Sequence, residues 1–227
     1  MKKLIETIKN IFKIEELRKR ILFTLALILV YRFGSFVVIP GINPEALSAL
    51  QQQVEGNGLM GLLNIFSGGA FSNASIFALG IMPYISASIV IQLMGIVVPY
   101  FQKLQKEGES GRRKINQWTR YLTIIVLLLQ GPAYLANLHA QLPDAAFVLG
   151  RGSVLFTIGA TIVLIAGTMF VMWLGEKITD KGIGNGVSLI IMVGIIARLP
   201  HALMAELNTR FTEATGGLVM LVGELVL

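Results

Sequence analysis

The sequence predicts an all-α polytopic membrane protein, on three observations. Of its 227 residues, 54% are hydrophobic and only 14% charged, against about 25% charged in an ordinary soluble domain. The apolar residues gather in long tracts. Among them, residues 74–98 run for 25 positions without a charge; as a helix rising about 1.5 Å per residue, such a tract crosses a hydrocarbon core of roughly 30 Å. Finally, 15 of the 19 cations fall in every second segment between the tracts, hence on one side, as positive-inside topology requires.

Residues 1–20 hold seven Lys or Arg interleaved with Leu4, Ile5, Ile8, Ile11, Phe12 and Ile14, which suits an amphipathic helix on a surface of anionic phospholipids. A secretory leader competes with this reading. Against cleavage, the apolar run continues from Ile21 to Ile39 with no A-x-A-like site, so 21–42 is read as the first span. Arg32 falls inside it, where a cation is costly unless it faces protein or water or snorkels to a surface. Pro40-Gly41 and Pro44 then end the helix. Residues 43–73 contain no Lys or Arg, which puts them outside and the N-terminus inside.

Within that outside segment, Gly58 to Phe66 forms nine mostly apolar residues before Ser67-Gly68-Gly69 breaks the pattern. As a helix it reaches about half way across a bilayer. A half-helix belongs at membrane depth only where protein or a water-filled cavity shelters its backbone ends; the alternative is an amphipathic turn on the outer surface. The second span, 74–98, carries Ile81 and Ile85 four residues apart, hence on one helical face, with Pro83 between them removing a backbone donor.

Residues 99–120 are a second inside loop, with Lys103, Lys106, Arg112, Arg113, Lys114 and Arg120 around a tip of Glu107 to Gly111. Topogenesis and phospholipid contact account for such charge; so does a grip on an acidic surface such as RNA phosphates. The third span is 121–138, followed by an outside loop, 139–153, whose one cation is Arg151. The fourth, 154–174, is rich in Gly, Thr and Ala, which permit close helix packing. The inside loop 175–186, GEKITDKGIGNG, carries Lys177 and Lys181 but lacks the order of a phosphate-cradling loop.

The fifth span, 187–200, has an apolar run too short to cross unless flanking residues extend it, a shortened, glycine-flanked segment of the kind that points to a midplane site. Val187 and Ile191 repeat the apolar i, i+4 pair. An outside loop, 201–215, precedes a sixth apolar tract, 216–227, which contains Glu224 and stops after twelve residues, so the chain is expected to be cut short. No internal repeat is visible.

Chemistry has little footing here. Without cysteine there is no disulfide, thiol nucleophile or thiolate metal site. His139 and His201 have no metal-ligand spacing, and no buried Asp, Glu or His stands ready as a general base for the span Ser and Thr residues. No cofactor is expected. Gln92 and Gln130 are the most polar uncharged side chains within the spans, a type that ordinarily hydrogen-bonds a neighbouring helix.

The strings FSGGAFSNASIFALGIMPYISASIVIQL, KEGESGRRK and GTMFVMWLGEKITDKGIGNGVS, together with YRFGSFVVIPG and IIARLP, occur in that family's order, and across essentially the whole chain the sequence resembles the SecY family, the central subunits of the bacterial Sec protein-translocation channel. The resemblance implies the SecY-type fold, ten spans in two inverted five-helix halves around an hourglass pore, of which this chain supplies the first half and the start of the sixth span. It implies a pore ring to which this half gives Ile81, Ile85, Val187 and Ile191, the last pair with Val187 where isoleucine is common. It also implies a plug over 58–73, with Gly58, Leu62, Leu63, Ile65, Phe66, Ser67, Gly68 and Gly69 as its characteristic residues, and a lateral gate that includes Gln92 and Gln130.

Lys106, Arg112, Arg113, Lys114, Lys177 and Lys181 would then meet the ribosome or the SecA motor ATPase. The other implied partners are SecE and SecG, signal sequences and unfolded polypeptides, anionic phospholipids and the C-terminal half of SecY. The implied location is the bacterial plasma (inner) membrane, with the N-terminus cytoplasmic and no enzymatic role. A secondary solute transporter is the main rival, but it should place charged groups beside its broken helices, whereas both short segments here present aliphatic pairs. A non-conducting membrane scaffold, the second rival, needs neither a half-helix nor a constriction.

Overall fold

The structure, a computed structural model, describes residues 13–48, 50, 51, 58–148, 150 and 153–212. Residues 1–12 of the expected amphipathic N-terminus, Arg151 and the tract 216–227 lie outside the described residues.

Helix α1 (Glu15–Gly34) opens with Glu15 and Glu16 in its first turn, where the exposed amides favour negative charge, and each pairs one turn on, with Lys19 at 2.8 Å and Arg20 at 3.1 Å. It ends at Gly34, where the Phe77 ring leaves no room for a Cβ. The chain then runs extended and pairs antiparallel with residues 74–76. Ile39 N donates to Ala74 O and Ile76 N to Val37 O, both at 2.9 Å, around the Val38–Ser75 bridge. A short 3₁₀ turn, Pro44–Ala46, is capped by Asn43, whose side chain accepts from Glu45 N.

Helix α2 (Gly58–Phe66) comprises the nine mostly apolar residues ahead of the glycines. The next helix departs from expectation: α3 (Met82–Val97) begins eight residues later than the expected span 74–98. Residues 67–81 form consecutive turns instead, with Ala74 at φ 42° and Gly80 at φ 56°, left-handed conformations that interrupt a right-handed helix. Hydropathy cannot register this, because the turns are as apolar as a helix and almost wholly buried. Pro83 consequently sits in the first turn of α3, where its missing amide costs nothing.

At Val98, held extended ahead of Pro99, the chain bends by 98° into α4 (Pro99–Lys106). There Phe101 and Leu104 are buried. Gly108, at φ 68°, turns it into α5 (Glu109–Gln141). Most of the expected loop 99–120 is therefore helical, and α5 extends well beyond the expected span 121–138. Hydropathy marks where a helix leaves lipid, whereas its hydrogen bonds carry on into water, helped by pairs such as Arg113–Glu109 at 3.0 Å.

Helix α1 ends at Gly34, short of the expected bound at 42, because the chain turns extended there, and two further helices outrun the expected spans for the same reason as α5. Helix α6 (Val154–Lys181) runs seven residues past the expected end of span 4 and reduces the loop 175–186 to residues 182–185. Helix α7 (Gly186–Thr212) extends through Pro200 into what was expected to be the outside loop 201–215.

By length and composition α5 and α6 can each cross a membrane, and α3 with α4 qualifies only as a pair broken by the bend. Helix α3 packs on α5, α5 on α6, and α6 on both α1 and α7. A small residue also sets how closely α6 approaches the buried turns ahead of α3: Gly167 has no room for a Cβ against the carbonyl oxygen of Ile76. Among the described residues three buried apolar clusters result, the first around Ile39, Phe71, Leu138 and Leu164, the second around Tyr31, Phe77, Leu174 and Ile190, and a small third of Ile91, Phe101 and Leu104.

Candidate functional site

The turn that closes α2 is built almost entirely from its own short polar groups. Gly68 and Gly69 stand at φ 65° and 90°, and their amides donate to Ile65 O and Asn64 O at 3.0 and 2.9 Å, ending the helix through left-handed residues. Ser67 Oγ donates to Asn64 O and accepts from Phe71 N, both at 3.1 Å. Asn64 Oδ1 accepts from Ser72 N at 3.0 Å. Asn64, Ser67 and Ser72 are all buried, so these bonds satisfy irregular backbone that would otherwise be stranded away from water.

Two carbonyls of the turn are met from α1. The Tyr31 hydroxyl donates to Ser67 O at 3.3 Å and Arg32 Nη1 to Gly68 O at 2.9 Å. Arg32 thus faces protein, the first of the three ways a cation at that depth can be tolerated. Arg198 of α7 reaches the same turn, since a Cβ on Gly69 would lie 3.9 Å from its Nε. From the other side α7 offers Gly194, on which a Cβ would come within 3.1 Å of Phe66 O and 3.3 Å of Gly68 N. Helix α2 therefore lies on α7, with Leu63 turned toward the first cluster and Leu62 and Ile65 exposed. The glycines at 68 and 69 close a packed turn; the sequence had shown them only as a break.

The structure brings the four aliphatic residues Ile81, Ile85, Val187 and Ile191 into one cluster. Ile81 caps α3 and is only 4% exposed. Ile85 N donates to Ile81 O at 3.1 Å, so the pair shares a face even though the helix proper starts at Met82. Val187 packs on Gly175, where a Cβ would stand 3.3 Å from its Cγ2. The cluster's other buried members are Tyr31, Ala70, Phe77, Val171, Leu174, Ile178 and Ile190. Tyr31 links it directly to the turn of α2, a connection that spacing alone did not reveal.

Gln92 and Gln130 occupy different surroundings. Gln92 Nε2 donates to Ser88 Oγ on its own helix at 3.2 Å. Gln130 stands with Ser86 and Asn137 in a groove of about 370 Å³ whose remaining lining is mainly apolar, including Met60 and Leu63 of α2.

The basic residues lie on helices rather than on flexible loops. Lys106 ends α4, and Arg112, Arg113 and Lys114 project from the first turns of α5, all exposed. Arg113 pairs with Glu109, and Lys114 lies 3.9 Å from Glu107. Lys177 Nζ sits over the Trp173 ring at 5.9 Å, and Lys181 ends α6. Arg120 is engaged by Glu176 of α6 through both guanidinium and carboxylate forks, an ion pair between residues 56 positions apart that no local pattern announces. Among the described residues no group of His, Cys, Asp and Glu could hold a metal ion.

Comparison with known proteins bears on the whole arrangement. The family model described as SecY matches residues 75–227. The protein translocase subunit SecY of Escherichia coli strain K12 is 50% identical over 188 residues, which is 83% of this chain and 42% of that protein. That of Pseudomonas aeruginosa is 50% identical over 190 residues, 84% of this chain and 42% of its own length. That of Streptomyces scabiei is 47% identical over 198 residues, 85% and 45%. The chain spans a little under half the length of these curated relatives.

Proposed function

Because the chain belongs to the SecY family, we propose that it provides half of a channel through which unfolded polypeptides cross the bacterial plasma membrane or pass sideways into it. In this reading Ile81, Ile85, Val187 and Ile191 form this half's part of a pore ring. The observation that carries it is their convergence in one cluster from two separate helices, α3 and α7. Branched apolar side chains form a constriction that excludes water and ions by dewetting, while a translocating chain slides past groups that make no lasting hydrogen bonds. The ring seals without gripping.

Helix α2 is the plug, with Leu62 and Ile65 left exposed for contact with the C-terminal half of SecY. Gln92 and the groove at Gln130 belong to a lateral gate, whose other wall the C-terminal half of SecY supplies. A signal sequence entering there replaces apolar contacts that opening breaks, and shifts the balance by its differential affinity for the open state. Lys106, Arg112, Arg113, Lys114, Lys177 and Lys181 form a basic face toward the SecA motor or the ribosome, with the N-terminus cytoplasmic and anionic phospholipids alongside. SecE and SecG complete the assembly. Energy comes from the motor or the ribosome, and this chain has no catalytic step of its own.

The test is resting conductance. In the full-length protein in planar bilayers, Ile81→Asn with Ile85→Asn wets the ring and raises ion leak well above the parent. An unchanged conductance sinks the ring, and a change confined to uptake of one solute favours a transporter instead.

A further inference from the structure

Tyr31 and Arg32 are consecutive on α1, and they donate to the consecutive carbonyls of Ser67 and Gly68. Resting on the channel reading above, we infer that Arg32, assisted by Tyr31, is the positioning residue that keeps the plug helix seated, and that its hold lasts only while the neighbouring aliphatic cluster stays dry.

Three observations lead there. First, the partners of the Arg32 guanidinium among the described residues are the Gly68 carbonyl and, at 5.5 Å, the Phe36 ring. If the turn departs, the cation, set in a hydrophobic tract, loses its one close hydrogen-bond acceptor among the described residues. Arg32 is half-buried, and leaving a cation there without its acceptor costs more than losing an ordinary neutral hydrogen bond.

Second, Gly68 fits this place and tolerates nothing larger. At φ 65° a Cβ there would lie 2.8 Å from Arg32 Nη1 and 2.9 Å from Gly194 Cα. Residues 67–72 are buried, and the turn is closed on itself by Ser67 and Asn64. The glycine pair is therefore a clamped turn and not a loose hinge. Motion of the half-helix has either to break the two α1 bonds or to start ahead of Ser67.

Third, the latch and the ring share one apolar cluster. Tyr31 is 1% exposed and belongs to the same cluster as Ile81, with Ile85, Val187 and Ile191 packed against it. Water admitted between those aliphatic groups reaches the hydroxyl next. As the local dielectric rises, both bonds fall toward their small value in water. Wetting of the ring and release of the plug are coupled in this way, so an occupied pore loosens the plug and an empty, dry pore restores the hold.

The chain lacks cysteine, so Phe66→Cys in the full-length protein, with any cysteines elsewhere removed, gives a single reporter. Its rate of modification by a bulky aqueous thiol reagent is read in membrane vesicles at rest. Arg32→Met should raise the rate about tenfold or more, the worth of a charge-assisted bond. Tyr31→Phe should raise it less, and Arg32→Lys, which keeps a cation and a donor, should return it toward the parent. In the Ile81→Asn, Ile85→Asn background the rate should already be high, and Arg32→Met should add little. Unchanged rates in Arg32→Met and Tyr31→Phe overturn the latch, as does Arg32→Lys behaving like Arg32→Met. Because labelling reports the seat and conductance reports the ring, failure of the latch leaves ring leak intact, whereas failure of the channel reading removes leak and leaves the labelling pattern to decide the latch.

Discussion

Gly68 and Gly194 cross backbone to backbone: a Cβ on Gly68 would lie 2.9 Å from Gly194 Cα, and one on Gly194 would lie 3.3 Å from Gly68 N. The half-helix rests on α7 through this crossing, one turn beyond Ile190 and Ile191, which stand in the aliphatic cluster. Seat and ring are thereby built on one helix.

Side-chain volume at Gly194 should accordingly unseat α2 in a graded way. Gly194→Ala meets Phe66 O at 3.1 Å and calls for a shift of a few tenths of an ångström, whereas Gly194→Val adds branches with no space to enter and costs about 1–3 kcal/mol of seating energy. Gly159→Val, on α6 where a Cβ meets nothing within 4 Å, is the control. Resting ion leak of the full-length protein in bilayers should rise from parent to Gly194→Ala to Gly194→Val, with Gly159→Val near the parent. Equal leak in all four contradicts the seat.

Which parts of this arrangement the sequence disclosed follows from what local pattern can encode. The bounds of α2 were visible because an apolar run met two glycines that end it left-handed, and the pairs Ile81/Ile85 and Val187/Ile191 were visible because helical period puts i and i+4 on one face. The start of α3 was hidden, since the buried turns from Ala74 to Ile81 are uncharged and hydropathy reads them as helix. The ends of α5 and α6 were hidden for the converse reason, because polar helix outside lipid reads as loop. Arg32 was flagged as costly, but its acceptor is a backbone carbonyl 36 residues away, and a carbonyl has no sequence signature.

The Arg120–Glu176 pair belongs with the contacts that only the fold reveals, and it braces α5 against α6. Arg120 is 45% exposed and Glu176 22%, so solvent screens part of the attraction and a coupling of about 0.5–1 kcal/mol is expected. A double-mutant cycle on thermal unfolding of the detergent-solubilised full-length protein should find Arg120→Ala and Glu176→Ala less than additive. The swap Arg120→Glu with Glu176→Arg should recover most of the stability lost by either reversal alone. Strict additivity would mean that the contact contributes nothing.

The bend at Val98 depends on what α4 buries. Phe101 is 7% exposed and Leu104 2%, and the Phe101 ring meets the edges of Tyr100 and Trp118 at centroid distances of 5.5 and 6.1 Å. An eight-residue helix is too short to persist on its own, so its apolar face has to hold it against α5. Phe101→Ala removes that anchor at a cost of about 3–5 kcal/mol, more than so small a unit can bear, and α4 should melt locally while α5 and α6 stay packed. Trypsin should then cut at Lys103 and Lys106 at least tenfold faster in the folded protein, as expected when cleavage follows the population of the locally opened state. Conservative Phe101→Leu, which keeps most of the buried volume, should hold cleavage near the parent rate. Equal cleavage of Phe101→Ala and the parent would show that Pro99 and the turn at Gly108 fix α4 without its apolar face.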